Sequence, residues 1–192
     1  MAGALRGAWD GEWLGSNEPY RQIMLLLAYI LLLAVFFDIR ERRIPNPLIV
    51  AGLAAGLVVS FQTMGMHGLI ASSEGCLLGV AVFIPFFVLR QLGAGDVKLM
   101  GVVGAFVGVD AMFKVILYTL IAGGLVGAIA LVGSGKLAPF FLNLRLWLAS
   151  LGVSMGGKDA VSFARVADSS VLRIPYALAI AMGALLWMWL ES

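Results

Sequence analysis

A chain of 192 residues with 61% hydrophobic residues, 12% charged residues and a mean hydropathy of +1.00 is not an ordinary soluble domain, in which roughly 25% of residues are charged. A formal charge of +2 spread along loops excludes a nucleic-acid-binding surface, and Cys76, the single cysteine, excludes a disulfide framework or a cysteine zinc site built within this chain. A membrane-spanning helix needs about 20 residues, so the expected fold is all-α: one polytopic bundle of six transmembrane helices, embedded in the lipid bilayer, with no room for a second domain.

Residues 1–22 are polar and Gly-rich, with Trp9 and Trp13 suited to a headgroup interface beside Asp10, Glu12 and Glu18. They are expected to form an external tail, followed by a membrane domain over 23–192. The first apolar run, 23–37, lacks a small-residue cleavage site, and its basic cluster follows it rather than precedes it, so it reads as a retained helix rather than a signal peptide. Further runs at 48–61, 69–89, 97–109, 115–132 and 174–190 complete six spans. Pro85 is expected to kink the third, and Asp110 and Lys114 to flank the turn between the fourth and fifth. Glycine pairs Gly52 and Gly56, Gly75 and Gly79, Gly104 and Gly108, and Gly123 and Gly127 have the four-residue spacing that lets helix backbones approach closely in lipid.

Basic residues are retained on the cytoplasmic side. The loops after spans one, three and five, about 38–47, 90–98 and 133–173, hold Arg40, Arg42, Arg43, Arg90, Lys98, Lys136, Arg145, Lys158, Arg165 and Arg173, against Arg6, Arg21 and Lys114 on the other side. Both termini are therefore expected outside. Within the last of these loops, the apolar run 137–151 is short for a span and fits an interfacial or re-entrant helix.

Ionisable groups near membrane depth are costly and are functional candidates by default. Asp38 ends the first span and Asp96 opens the fourth, which the topology puts on one face. Two carboxyl groups within reach of each other share a proton, because two adjacent charges cannot both persist in a low dielectric. The ionised member can then take a proton from water while the protonated member donates to a scissile carbonyl. The single histidine, His67, is expected on the opposite face, so a Ser-His-Asp or Cys-His mechanism lacks its base and a metal site lacks ligands. No cofactor is called for. Gly93 and Gly95 are expected to adopt backbone conformations closed to other residues and to leave space for an extended substrate to approach. Pro45 and Pro47 end the loop, with Asn46 placed to cap the second span. Lys98, two residues past Asp96, either orients a carboxylate or anchors the loop. Arg40, Arg42 and Arg43 are read as topology determinants, and Glu41 as solvated.

Asp38 with Ile44-Pro45-Asn46 behind it, and Gly93-x-Gly95-Asp96-x-Lys98, resemble the type IV prepilin peptidase family. The resemblance covers roughly residues 23–190. It implies six membrane helices in the bacterial inner membrane, Asp38 and Asp96 as the catalytic pair, and supporting roles for Gly93, Gly95, Lys98, Pro45 and Asn46. It also implies substrates that are prepilins or pseudopilins with a basic leader, cut after a glycine, and partnership with pilus or secretion machinery. Longer members carry paired Cys-x-x-Cys motifs associated with N-methylation. This chain has neither, so it is similar to the short members that serve tight-adherence (Flp) pili, and no methyltransferase activity is expected. Pro175-Tyr176-Ala177 to Ile180 in the last span resembles a further family feature, but Ala177 and Leu178 stand where the family often has Gly-Pro, which weakens any role given to that helix.

A presenilin-like protease also uses Gly-x-Gly-Asp but pairs it with Tyr-Asp, whereas Phe37 precedes Asp38 here. A proton-coupled transporter would need polar residues across the bilayer, and beyond the aspartates the spans offer little except Gln62, Thr63 and Thr119. A non-catalytic scaffold would be indifferent to both carboxylates. Helix polarity makes Asp96, at a helix amino end, the expected anion and base, and Asp38, at a carboxyl end, the expected acid.

Overall fold

The structure is a computed structural model that describes residues 17–89, 92–133 and 176–191. Among these residues there are only helices and short connections: α1 (Asn17–Glu41), α2 (Asn46–Val88), α3 (Ala94–Gly133) and α4 (Tyr176–Glu191). The first three are long and apolar enough to cross a membrane, and Tyr176–Leu190 is a shorter apolar helix. Most of the expected external tail and the stretch 137–151 lie outside the described residues. Two compact units are distinguished, one of residues 1–123 with 175–192 and one of residues 124–174, the second described only by the helical stretch 124–133.

The six predicted spans thus occupy four helices, and α1 begins six residues before the predicted Ile23. α2 and α3 have 43 and 40 residues. A straight helix of that length would be about 60 Å long, roughly twice the hydrocarbon core. Each is interrupted by one glycine: Gly65 at φ 59°, ψ −139° in α2, and Gly108 at φ 73°, ψ 174° in α3. These conformations are essentially closed to residues with a Cβ.

Contacts show that the chain reverses at both points. Ser60 and Ser72, on either side of Gly65, donate to the same carbonyl, that of Ala105, at 3.3 and 2.5 Å. Twelve residues along an unbroken helix they would stand about 18 Å apart. Likewise, a Cβ on Gly79 would lie 2.6 Å from both the Met100 carbonyl and the Met112 side chain, which flank Gly108. α2 and α3 are therefore helical hairpins without loops. The turn expected around Asp110 to Lys114 sits instead at Gly108, and Asp110 and Lys114 belong to the second arm. Pro85 lies in the last turn of α2, where the dihedrals stay helical, so the break is at the glycine rather than the proline.

The first arm of α3 is the centre of the larger unit. Every residue from 99 to 108 is buried, as expected of a helix that is apolar all round. Gly52 and Gly56 of α2 lie against Val102, Ala105 and Phe106, and Gly75 lies against the backbone of Gly104 and Gly108. Three of the four glycine pairs therefore serve close helix approach in the way their spacing suggested. α1 buries the stripe Leu27, Ile30, Leu31 and Ala34 and exposes Leu25, Tyr29, Leu32 and Phe36. An apolar outer face of this kind suits lipid and not water.

Three substitutions separate these roles. Gly75→Ala drives a methyl group into the Gly104 carbonyl and is expected to destabilise by about 1–3 kcal/mol. Gly65→Ala meets no atom within 4 Å but strains a left-handed residue, at a cost of about 1–2 kcal/mol. Gly124→Ala also meets nothing within 4 Å and should be neutral or stabilising, by up to about 1 kcal/mol. Thermal unfolding in detergent orders the three, and equal stability of Gly75→Ala and Gly124→Ala would remove the close-approach argument.

Candidate active site

Asp38 stands in the last turn of α1, which closes with the Arg42 N–H donating to the Asp38 carbonyl at 2.9 Å. Arg42 has φ 51°, the left-handed conformation that commonly ends helices. Three residues on, Pro45 in extended conformation caps α2, with a proline in the first helical positions. The Asp38 side chain is half-buried, and its Oδ2 accepts a hydrogen bond at 3.3 Å from the backbone N–H of Ala177, the second residue of α4. The first N–H groups of any helix lack partners within it, and Asp38 supplies one across 139 residues of sequence.

Asp96 opens α3. The chain turns at Gly93, whose carbonyl accepts from the N–H groups of Asp96 and Val97 at 3.1 and 3.4 Å. The Asp96 carboxylate reaches back to accept the Gly93 N–H at 3.1 Å, the reciprocal half of a capping box. Asp96 is only 8% exposed, and it lies close enough to Asp38 for the two charges to act on one another. Each carboxylate is thus held by a backbone amide at a helix amino end.

The polarity contrast drawn from the sequence does not survive this geometry. Asp38 ends its own helix but sits at the amino end of α4, so both aspartates are on the side of a helix dipole that favours negative charge.

The supporting residues join the two motifs. Lys98 donates from Nζ to Asn46 Oδ1 at 3.0 Å, a contact that joins it to the segment after Asp38. Asn46 does not cap α2: Pro45 is the cap and makes no side-chain cap bond, and Asn46 is the first helical residue, its amide turned to Lys98. A Cβ on Gly95 would lie 3.2–3.5 Å from Ile44, and one on Gly93 would lie 3.2 Å from Asp96 Oδ2. Among the described residues only Gly65 and Gly108 are glycines with positive φ. Gly93 and Gly95 therefore serve close approach rather than unusual dihedrals. Arg40, Glu41, Arg42 and Arg43 are exposed, with the Arg40 guanidinium 5.9 Å from the centre of the Phe36 ring. His67 is exposed in α2 and Arg90 lies outside the described residues.

The contribution that the sequence marked only weakly is the start of α4, where Pro175-Tyr176-Ala177 resembles a family feature but lacks its Gly-Pro. A backbone donor belongs to any residue type, so Ala177 carries no signature. The usable signal was Pro175, since proline beside a helix start marks free amides nearby.

If Lys98 and Asn46 form one clamp, Lys98→Met and Asn46→Ala should each lower stability and together lower it by no more than either alone. A double-mutant cycle on denaturant unfolding in detergent measures this, and strict additivity would dissolve the clamp.

A model of the type IV leader peptidase family matches residues 25–132, a stretch that includes both aspartates and more than half of the chain. The prepilin leader peptidase/N-methyltransferase of Myxococcus xanthus (strain DK1622) is 30% identical over 126 residues, 60% of this chain and 36% of that protein. The protein of the same name from Legionella pneumophila is 30% identical over 118 residues, 58% of this chain and 41% of its own length. That from Stutzerimonas stutzeri is 28% identical over 160 residues, covering 74% and 54%. The chain therefore spans between 36% and 54% of the length of these curated relatives. No solved structure matches it.

Proposed function

Because the chain belongs to the type IV leader peptidase family, we propose that it is a membrane aspartyl endopeptidase that removes the short leader of type IV prepilins or pseudopilins, with Asp38 and Asp96 as its catalytic pair. The observation that carries this reading is the convergence of the two carboxylates, each held by a helix-start amide and each within reach of the other's charge. A bound water between them loses a proton to the ionised member and attacks the scissile carbonyl, to which the protonated member donates. No covalent intermediate is needed. The dyad titrates jointly, and base and acid are roles of the pair rather than of fixed residues.

The proposed topology has six spans in a bacterial inner membrane, each arm of α2 and α3 counted as one crossing; the excess of lysine and arginine in the loops after spans one, three and five supports a cytoplasmic site with both termini outside. A basic leader remains in the cytoplasm under the same rule. Partnership with pilus or secretion machinery follows from the substrate. With Cys76 as its single cysteine the chain cannot build paired Cys-x-x-Cys motifs, so cleavage without N-methylation is proposed.

Co-expression with a candidate prepilin tests the assignment. Wild type and Asp110→Ala, an exposed carboxylate in the second arm of α3, should shorten the precursor on a gel, while Asp38→Ala and Asp96→Ala at matched folded levels should process it at least about a hundredfold more slowly. Equal processing by all four would refute the site. Transfer of a labelled methyl group from S-adenosylmethionine to the processed pilin by the purified chain would refute the cleavage-only reading.

A further inference from the structure

The start of α4 brings two consecutive residues to the site by different means. Ala177 is fully buried and gives its N–H to Asp38. Tyr176, immediately before it, places its ring edge-on to the buried Phe83 of α2, with centroids 6.2 Å apart and planes at 64°. The hydroxyl end of the phenol also lies against bare backbone: a Cβ on Gly123 of α3 would come 2.7 Å from the hydroxyl oxygen and 3.0 Å from Cζ. Because the next residue, Ala177, donates to Asp38, the ring belongs to the turn of α4 that meets the site rather than to a remote packing site.

Only the Tyr176 carbonyl carbon separates its Cα from the Ala177 nitrogen, so anything that fixes the Tyr176 ring also fixes the direction of the Ala177 N–H. A full aromatic ring packs at the first residue of α4 against Gly123, whose missing side chain leaves the room for it. Here it is placed where α4 meets Asp38.

We propose that Tyr176 is a positioning residue for the peptidase reaction: its ring, seated between Phe83 and the backbone of Gly123, fixes the first turn of α4 so that the Ala177 amide holds Asp38 in place beside Asp96. This inference rests on the proposed peptidase function. It assigns the last helix a part in the site through three side-chain positions, Phe83, Gly123 and Tyr176, that lie outside both aspartate motifs.

The test measures kcat and KM of the purified full chain in detergent on a synthetic prepilin peptide spanning the leader and the cut, at matched amounts of folded protein. Gly123→Ala pushes on the phenol and should lower kcat about tenfold with KM little changed, since small misplacements of a reacting group act on the chemical step. Tyr176→Phe removes the atom nearest the new methyl group and leaves the ring carbons at 3.0 Å and beyond, so Gly123→Ala should cost less in that background than with tyrosine. If Gly123→Ala does not accumulate, Tyr176→Leu, which removes the ring, should show the same loss in kcat. A Gly123→Ala protein with wild-type kcat, or a loss equally large with tyrosine and with phenylalanine at 176, overturns the proposal. Wild type leaving the peptide intact would overturn the peptidase reading and this inference with it, whereas an active wild type indifferent to Gly123→Ala overturns the inference alone.

Discussion

A helix that ends near hydrocarbon leaves N–H groups with no partner inside it and little water to replace one. The site described above rests on that constraint. Asp96 accepts the N–H at the start of its own helix, and Asp38 accepts one at the start of a helix distant in sequence. The same two bonds satisfy the backbone and orient the carboxylates. A charged group that would otherwise be costly at this depth is thus placed where the helix dipole favours it, and the structural and chemical demands coincide at the same atoms.

The rest of the larger unit holds these helix ends in register. The central arm of α3 carries Asp96 at its head and is buried along its length, so its position is set by what surrounds it. Glycines of α2 let backbones touch there, and Ser60 and Ser72 converge on the Ala105 carbonyl. In lipid, where apolar side chains gain little by leaving the tails, close backbone approach and a few interhelical hydrogen bonds are the available sources of cohesion. At the head of the arm, Lys98 to Asn46 and Gly95 against Ile44 continue the same contact, joining the segment after Asp38 to the segment around Asp96.

Much of this was legible in the sequence. The apolar runs marked the helices, and the four-residue glycine spacing marked the close contacts. Asp38 and Asp96 stood out as carboxylates at the ends of apolar runs. The reversals were not legible: with 24 glycines in the chain, nothing local distinguishes Gly65 and Gly108 as the two among the described residues with positive φ, and polar Asp110 and Lys114 drew the predicted turn away from its place. Asn46 looked like a cap because its partner, Lys98, is 52 residues away. The amide of Ala177 was hidden for a deeper reason, since main-chain donors are common to almost every residue and only the fold selects which is used.

The absence of loops at Gly65 and Gly108 also governs how the chain can vary. A hairpin with a flexible connection absorbs an inserted residue. A reversal made by one glycine does not: an extra residue on either side turns the following arm by about 100° about its axis. At Gly65 that rotation would carry Gly75 and Gly79 away from Gly104 and Met100, their present neighbours, and present bulky side chains in their place. Length at these two turns is therefore a phase constraint, and substitutions should be tolerated along the lipid-facing arms far more readily than insertions or deletions near either glycine.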